Sequence, residues 1–384
     1  MLVRTMRLIC LIGVFASCVA CSEAPSRPGV PDPVAISTNR WTIMVYMAAD
    51  NSLNTFSARD INEMEDGLVL AGEAARSGVD VIVLFDPRTQ GDWTDTRLYR
   101  ILPDTNLAAI ASERLDDGVS GRGHCLPLGE RNTGDGATLA WFMAYCRTNF
   151  PAQQYALILW NHGGGARIPA RCVEPRSGGR ASVGRSSTVS AARDRSEVVP
   201  QKKDRKRSAA VTGPNLPSRE IAQDQNADDV IWLDELSTAL AAHRDAVGPL
   251  ALLGMDACLM GCFETAWEMR GLARILVASM ANEPDEGWDY RRIMTALDEA
   301  TVSGEGFATV IVDSYQDLHS PEGTAAGSGV TLSATACEKL GPVKTALDGL
   351  AKELALWIAP GGLVEQTRLT AFATLRMSAN RFFE

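Results

Sequence analysis

The chain has 384 residues, of which 46% are apolar and 22% are charged, and its mean hydropathy is -0.05. These values exclude a disordered polymer and a multi-span membrane protein, and the length allows one large α/β domain or two smaller ones. The net charge of -10 excludes a general nucleic-acid binder, because neutralising phosphates requires a basic surface. Nine cysteines are too few for a disulfide framework in a chain of this length.

The N-terminus has the pattern of an export signal. Arg4 and Arg7 precede an apolar run, Leu8–Ala20, that is too short to span a bilayer comfortably. Small residues then lead to Cys21, a pattern that resembles the processing site of bacterial lipoproteins. We therefore predict a signal peptide over residues 1–21 with lipidation at Cys21, so that the exported protein contacts the membrane only through this anchor. The alternatives are an ordinary cleaved signal and a chance apolar start.

A proline-rich tether is predicted over residues 22–40, and a folded domain over residues 41–384. In the domain, apolar runs of strand length alternate with amphipathic stretches of helix length, which predicts an α/β sandwich with four or more parallel strands. The predicted strands are Trp41–Met47, Val79–Phe85, Arg97–Leu102 at an edge, Tyr155–Trp160, Leu250–Met255, Ile275–Ala278 and Val330–Leu332. The predicted helices are Phe56–Ser77, Gly136–Asn149, Leu233–Arg244, Cys262–Gly271, Arg291–Ala300, Glu305–Leu318 and Glu338–Ile358.

A basic insertion interrupts this alternation at residues 166–220. It holds 13 Lys or Arg against 5 Asp or Glu, a net charge of +8, and has almost no apolar period. Such a segment cannot pack a core, so we predict a mobile, exposed loop. The loop could be inert, could bind an anionic surface, or could offer cleavage sites to a protease that cuts after basic residues.

A histidine and a cysteine follow two of the predicted strands. The strand that ends at Trp160 runs into His162 and three glycines, and the strand that ends at Met255 reaches Cys258 three residues later. Because parallel strands end at the same edge of a sheet, we expect both side chains there. A nearby imidazole and a helix N-terminus favour a thiolate, and Cys258 is predicted to stand where its strand turns into a helix. The N–H of Gly163 could stabilise an oxyanion.

Other chemistries have weaker support. An esterase would need a G-x-S-x-G elbow and a phosphate loop would need G-x-x-x-x-G-K-[ST], and both motifs are absent from the sequence. A zinc site is poorly supported, since Cys258 and Cys262 have no second ligand pair at a suitable interval. A flavodoxin-like binding module stays open, with Asp50, Asp86 and Asp256 at strand ends. A purely structural role for the histidine and the cysteine also stays open.

Four motifs stand in order along the chain: Trp41–Leu53 (WTIMVYMAADNSL), Leu159–Gly165 (LWNHGGG), Met255–Met260 (MDACLM) and Glu283–Trp288 (EPDEGW). Together they resemble the clostripain family of cysteine peptidases, in the caspase and gingipain group. The resemblance implies a caspase-haemoglobinase-like fold, a mostly parallel sheet flanked by helices. It also implies a cysteine endopeptidase that cleaves proteins or peptides after Arg or Lys.

The resemblance assigns roles to individual residues. Cys258 matches the nucleophile that forms an acyl-enzyme, and His162 matches the histidine that protonates the leaving amine or polarises the carbonyl. Asp256 matches the acid that receives the Arg or Lys side chain in the specificity pocket, although it could instead cap the following helix. Asp285 and Glu286, in the next loop, would add negative potential to that pocket.

Processing of a precursor is a further implication of the resemblance, since family members can be cleaved in a basic linker between the histidine and the cysteine. We predict self-cleavage in the insertion, and an inactive homologue that binds peptides or partners is the alternative function. No cofactor is required by these motifs; calcium is possible, although no acidic loop has an EF-hand pattern. The predicted processing residues are Lys202, Lys203, Arg205, Lys206 and Arg207.

Overall fold

The computed structural model describes residues 39–165, 220–297, 303–325 and 329–358. The predicted signal with Cys21, all but the last two residues of the predicted tether, and the five basic processing residues lie outside these ranges. Glu220, the last residue of the predicted insertion, is the first residue of a strand. No helix within the described ranges is both long enough and apolar enough to cross a membrane.

The described residues form an eight-stranded sheet, a separate two-stranded hairpin and flanking helices. The strands are β1 (Trp41–Ala49), β2 (Val79–Pro87), β3 (Arg97–Arg100), β4 (Glu113–Arg114), β5 (Gln154–Trp160), β6 (Glu220–Asp224), β7 (Asp229–Trp232), β8 (Leu250–Asp256), β9 (Ala273–Ala278) and β10 (Ser333–Ala336). The helices are α1 (Asn54–Arg76), α2 (Gly136–Asn149), α3 (Leu233–Val247), α4 (Phe263–Glu268), α5 (Tyr290–Thr295), α6 (Gly304–His319) and α7 (Gly341–Ile358), with a 3₁₀ turn at Cys337–Leu340.

The large sheet has the strand order β10-β9-β8-β5-β1-β2-β3-β4. The five strands from β9 to β2 in this order pair in parallel, whereas β3, β4 and β10 join the edges in antiparallel fashion. The predicted mostly parallel sheet is thus confirmed. The register pairs Trp160 at the end of β5 with Asp256 at the end of β8, so the segments after these two strands emerge side by side.

Helices cover both faces of the sheet, which explains why the central strands read as continuous apolar runs. Side chains alternate between the faces along a strand. In β1, Met44 and Tyr46 pack in one core with residues of α2 and α3, whereas Val45 and Met47 pack in a second core with residues of α1, α5 and α6. Every residue of β1 is buried.

The structure corrects two predicted elements and adds one that was not predicted. The helix expected from Cys262 begins at Phe263 and ends at Glu268, so six residues separate it from β8 and Cys258 does not stand at a helix N-terminus. The late strand lies at Ser333–Ala336 rather than three residues earlier. The hairpin of β6 and β7, which closes over the ends of β1 and β5, is absent from the sequence-based prediction.

Candidate active site

A small cavity of about 50 Å³ opens at the carboxyl ends of β5 and β8 and brings the predicted site residues together. His162 enters it from the loop after β5, and Cys258 enters it from the loop after β8. Both side chains are half-buried. The other lining residues include Asp256, Glu283, Asp285 and Gly287.

A larger cavity, of about 340 Å³, lies at the opposite edge of the sheet and has a different character. Two of its three arginines form ion pairs: the guanidinium groups of Arg100 and Arg122 lie 2.9 and 3.0 Å from the carboxylate of Asp80. The third, Arg76, donates to the carbonyl of Leu68. None of the residues that line it is a histidine or a cysteine. The smaller cavity is therefore the candidate active site.

The backbone of His162 is fixed by the side chain of the preceding Asn161. The amide of Asn161 donates to the carbonyl oxygens of Ala48 and Gln223, and its Oδ1 accepts from the N–H groups of His162 and Gln223. This network ties the ends of β1 and β5 to the β6–β7 hairpin. The imidazole Nε2 lies 2.9 Å from the Oγ of Ser52. Burial lowers the pKa of His162, although the charge of Asp285 opposes this shift.

Cys258 lies in a tight loop whose next residue, Leu259, has a φ of 65°. The N–H of Leu259 donates to the carbonyl of Ala281 at 3.0 Å, which joins this loop to the one after β9. The N–H of Glu283 lies 3.3 Å from the Sγ of Cys258. Burial raises the pKa of the thiol above its usual value, and Asp256 and Asp285 act in the same direction, while the N–H of Glu283 lowers it.

Gly163 lies directly against the cysteine loop. A Cβ at this position would approach the carbonyl oxygen of Cys258 more closely than real Cβ atoms do and would lie 2.9 Å from the Cγ of Met260. Only glycine therefore allows the two loops to touch. This contact places the backbone of Gly163 beside the cysteine, although the predicted oxyanion role of its N–H stays a prediction.

Asp256 is only 6% exposed and forms the inner wall of the cavity. The hydroxyl of Tyr290 donates to its Oδ2 at 2.8 Å. The carboxyl group of Glu283 lies next to it and is buried, with no hydrogen-bond donor to either oxygen among the described residues. Burial raises the pKa of both carboxyl groups, and the charge of Asp256 raises that of Glu283 further.

The two acids predicted in the loop after β9 are placed differently. Asp285 is exposed and lines the cavity, and its charge acts on both His162 and Cys258. Glu286 is absent from the lining of the cavity, and its carbonyl oxygen accepts a hydrogen bond from Arg59 at 3.2 Å. The buried acid that stands beside Asp256 is Glu283.

The carboxylates considered for a binding module, Asp50 and Asp86, are fully buried and already have hydrogen-bond donors. The N–H of Asn226 donates to Asp50 at 2.9 Å, and the hydroxyls of Thr96 and Thr133 donate to Asp86 at 2.6 and 2.7 Å. These contacts hold the strand ends and the hairpin together. Within the described ranges, no group of three or more His, Cys, Asp or Glu side chains is arranged to hold a metal ion.

Comparison with known proteins agrees with this geometry. The model of the clostripain family (peptidase C11) matches residues 45–177 and 208–384, most of the chain. The chain belongs to the clostripain family. The predicted family is thereby confirmed.

A curated member of the clostripain family, clostripain of Hathewaya histolytica, is 28% identical over 355 residues. The match covers 82% of this chain and 56% of the length of that protein. The chain thus spans little more than half of its relative.

Solved structures of the clostripain family share the fold. A secreted C11 cysteine protease from Bacteroides thetaiotaomicron, in complex with an irreversible peptide inhibitor, superposes with a TM-score of 0.54 at 16% identity, over 82% of this chain and 71% of that one. An inactive zymogen C11 protease from Parabacteroides distasonis gives 0.54 at 17% identity, over 85% of this chain and 71% of that one. The predicted caspase-haemoglobinase-like fold class is confirmed.

Several residues around the cavity were missed by sequence reasoning. Ser52 lies within the first of the four family-like motifs, and Glu283 begins the fourth. Their positions in these motifs are the signal that could have identified them. Tyr290 and His319 carry no such signal, because only the packing of α5 and α6 brings them beneath Asp256.

Proposed function

We propose that this protein is a cysteine endopeptidase that cleaves peptide bonds after Arg or Lys, with Cys258 as the nucleophile and His162 as its acid-base partner. The supporting observation is that one cavity is lined by a thiol, an imidazole and a buried carboxyl group, that of Asp256. A nucleophile and its base within one cleft are what covalent acyl transfer needs. Membership of a peptidase family supports the same reaction.

The proposed reaction starts from a neutral pair. Burial raises the pKa of Cys258 and lowers that of His162, so the thiol keeps its proton at rest. On substrate binding the proton passes to His162 as Sγ attacks the scissile carbonyl carbon. His162 then gives this proton to the departing amine as the C–N bond breaks. Water hydrolyses the thioester, and the thiol is restored.

The substrate preference is proposed from the carboxyl group of Asp256. A guanidinium or ammonium group that enters the cavity would meet this carboxylate in a low-dielectric site, where charge-assisted hydrogen bonds are strong. The N–H of Gly163 is the proposed donor to the oxyanion, because its backbone touches the cysteine loop.

Hydrolysis of matched fluorogenic peptides that end in Arg, Lys, Asp, Asn or Leu tests this function. We expect cleavage after Arg and Lys, a loss of about 10³-fold or more in Cys258→Ala, and retention of activity in the control Cys262→Ala. Cleavage after Asp, Asn or Leu would overturn the role of Asp256. Folded protein that cleaves no peptide, even after trypsin treatment, would favour a peptide-binding homologue.

Self-processing in the basic insertion is proposed from its position between the histidine and cysteine strands. The likeness to an inactive zymogen of the family supports it. Purified wild-type protein should separate into two fragments on a denaturing gel, whereas Cys258→Ala should stay intact. Changing all five basic residues to Gln should also block cleavage; these are Lys202, Lys203, Arg205, Lys206 and Arg207.

Export with a lipid anchor on Cys21 is proposed from the N-terminal pattern, and the secreted relative from Bacteroides thetaiotaomicron supports export. Metabolic labelling with a palmitate analogue should mark the wild-type protein and spare Cys21→Ala. A need for calcium stays a prediction, which peptide hydrolysis with EDTA and with restored calcium tests.

A further inference from the structure

The floor of the candidate specificity pocket contains two carboxyl groups, those of Asp256 and Glu283. Both residues line the same small cavity, and each acts on the pKa of the other. Both Glu283 oxygens are buried and have no donor among the described residues. Two carboxylates cannot hydrogen-bond, since both only accept. A hydrogen bond between them therefore requires a proton on one of the two carboxyl groups.

The groups that face this pair supply few donors. From α5, the hydroxyl of Tyr290 donates to Asp256, and the backbone N–H of Trp288 also lowers the pKa of Asp256. The hydroxyl of Tyr315 on α6 is buried without a hydrogen-bond partner. The indole N–H of Trp288 also has no partner in hydrogen-bonding geometry, but it lowers the pKa of Glu283. From α1, Asp60 adds negative charge, and its Oδ2 already accepts from the indole of Trp160 at 2.8 Å. The thiol of Cys258 lines the same cavity as the pair.

One buried histidine faces the pair. His319 is 2% exposed, and its Nδ1 and Nε2 lie 2.9 and 3.0 Å from the carbonyl oxygens of Ala325 and Gly287. Carbonyl oxygens only accept, so both contacts are hydrogen bonds only when both ring nitrogens carry protons. A positive charge on His319 lowers the pKa of Asp256. A single positive charge can balance only one of two negative charges in the pair.

The open side of the pair faces the cavity. Gly287, with a φ of 61°, lies above Asp256, and a Cβ there would stand 3.0 Å from Oδ1 and 3.1 Å from Oδ2. The absence of a side chain leaves space over the carboxylate for a ligand. Two like charges in a buried site are costly, and an incoming cation offsets that cost.

We propose that Asp256 and Glu283 hold one shared proton in the free protein, and that a substrate Arg or Lys side chain replaces it, which makes Glu283 the second specificity carboxyl group. This deepens the proposed function and rests on it. The charges balance: the pair changes from -1 to -2, the substrate brings +1, and one proton leaves to solvent. Recognition of the cation is therefore linked to pH.

Calorimetry of the full chain with Cys258→Ala tests the proton directly, without turnover. Acetyl-arginine amide is titrated in two buffers of different ionisation enthalpy, between about pH 5 and pH 8. We expect release of about one proton per bound ligand at the acidic end, falling toward zero as the pair loses its proton in the free protein. Acetyl-citrulline amide, which is neutral, should release none. Arginine amide binding without proton release at every pH would overturn the proposal.

The matched variants are Glu283→Gln and Asp60→Asn, each made in the Cys258→Ala background. Glu283→Gln should abolish proton release and should weaken the binding of acetyl-arginine amide by about tenfold or more. The binding of acetyl-citrulline amide should change little. The second removes another buried carboxyl group nearby and should leave proton release unchanged. Loss of release in Asp60→Asn alone would overturn the assignment to Glu283. If Glu283→Gln does not fold, the pH dependence of proton release in the Cys258→Ala protein still tests the proposal.

Failure of this inference and failure of the proposed function are separable. Absence of cleavage after Arg or Lys by the wild-type chain contradicts the function. Cleavage after Arg with the same pH profile in wild type and Glu283→Gln leaves the function intact and contradicts the shared proton.

Discussion

The Oγ of Ser52 lies 2.9 Å from the Nε2 of His162. Ser52 belongs to the loop after β1, which Asn51 holds in place: its Oδ1 accepts from the N–H of Leu53, and its Nδ2 donates to the carbonyl of Ala48, both at 2.8 Å. The backbone of His162 is fixed from β5, whereas its ring is oriented from β1. The imidazole thus depends on two neighbouring strand ends.

Replacing Ser52 by Ala should lower kcat for Arg peptides with little change in KM. One side-chain hydrogen bond contributes about 1 kcal/mol, which corresponds to roughly a fivefold loss. The control is Ser237→Ala on α3, whose hydroxyl bonds to the carbonyl of Asp234 outside the cavity. Equal kcat values for wild type and Ser52→Ala would show that Ser52 does not position the histidine.

Alkylation of Cys258 should be slow at neutral pH and should rise steadily toward alkaline pH. The reason is the pKa of the thiol, which burial raises and to which the charges of Asp256 and Asp285 add. Asp285→Asn removes one of these charges, so iodoacetamide should react faster with that variant. Glu286→Gln is the control, and peptide mass spectrometry identifies the labelled thiol. An unchanged rate in Asp285→Asn would contradict this electrostatic account.

Gly163→Ala should destabilise the fold and abolish peptide hydrolysis. The new methyl group would collide with the carbonyl of Cys258, and overpacking of this kind costs about 1–3 kcal/mol. Gly341→Ala is the matched control, since a Cβ there meets no atom within 4 Å and its φ is -53°. Urea denaturation and the peptide assay are the measurements. A Gly163→Ala protein as stable and active as wild type would exclude the close contact.

Stability toward urea should fall as the pH drops from about 6.5 to about 4, because of His243. Its ring is 1% exposed and lies against Tyr155, and burial together with Arg147 lowers its pKa to about 4. The unfolded state therefore binds more protons than the folded state in this window, so stability rises with pH there. The contribution of His243 to the change in unfolding free energy over this pH range is at most roughly 3 kcal/mol.

His243→Gln should flatten that dependence of unfolding free energy on pH. The contrasting variant is His124→Gln. Asp117 and Glu113 raise the pKa of His124, so its contribution is present at low pH and is lost as the pH rises. Parallel pH profiles for wild type and His243→Gln would disprove the role of His243.

The central strands could be predicted from sequence because both faces of the sheet are covered. The prediction for β5 began at Tyr155, and the strand begins at Gln154; the prediction for β8 ended at Met255, and the strand ends at Asp256. A continuous apolar run of this length is typical of a buried strand. The convergence of His162 and Cys258 followed directly from the parallel order.

The remaining features depend on tertiary contacts that no local pattern records. The β6 strand, Glu220–Asp224, is short and half polar, and it is held by Asn161 rather than by an apolar run. Cys258 was expected at a helix start, but the contacts of its loop with the segment after β9 replace the first turn. Glu283 looks like an exposed acid in sequence, and its carboxyl oxygens are buried only in the fold, where its loop packs against that of Cys258.

The N–H of Gly164 donates to the carbonyl of Glu220 at 3.0 Å. The two anchor points of the basic insertion touch, so the entropy of closing that segment depends weakly on its length: a doubling adds only about 0.6 kcal/mol. Insertions, deletions or a grafted domain at this point should leave the spacing of the active-site loops unchanged. The basic insertion can therefore change in length and composition without altering the chemistry beside it.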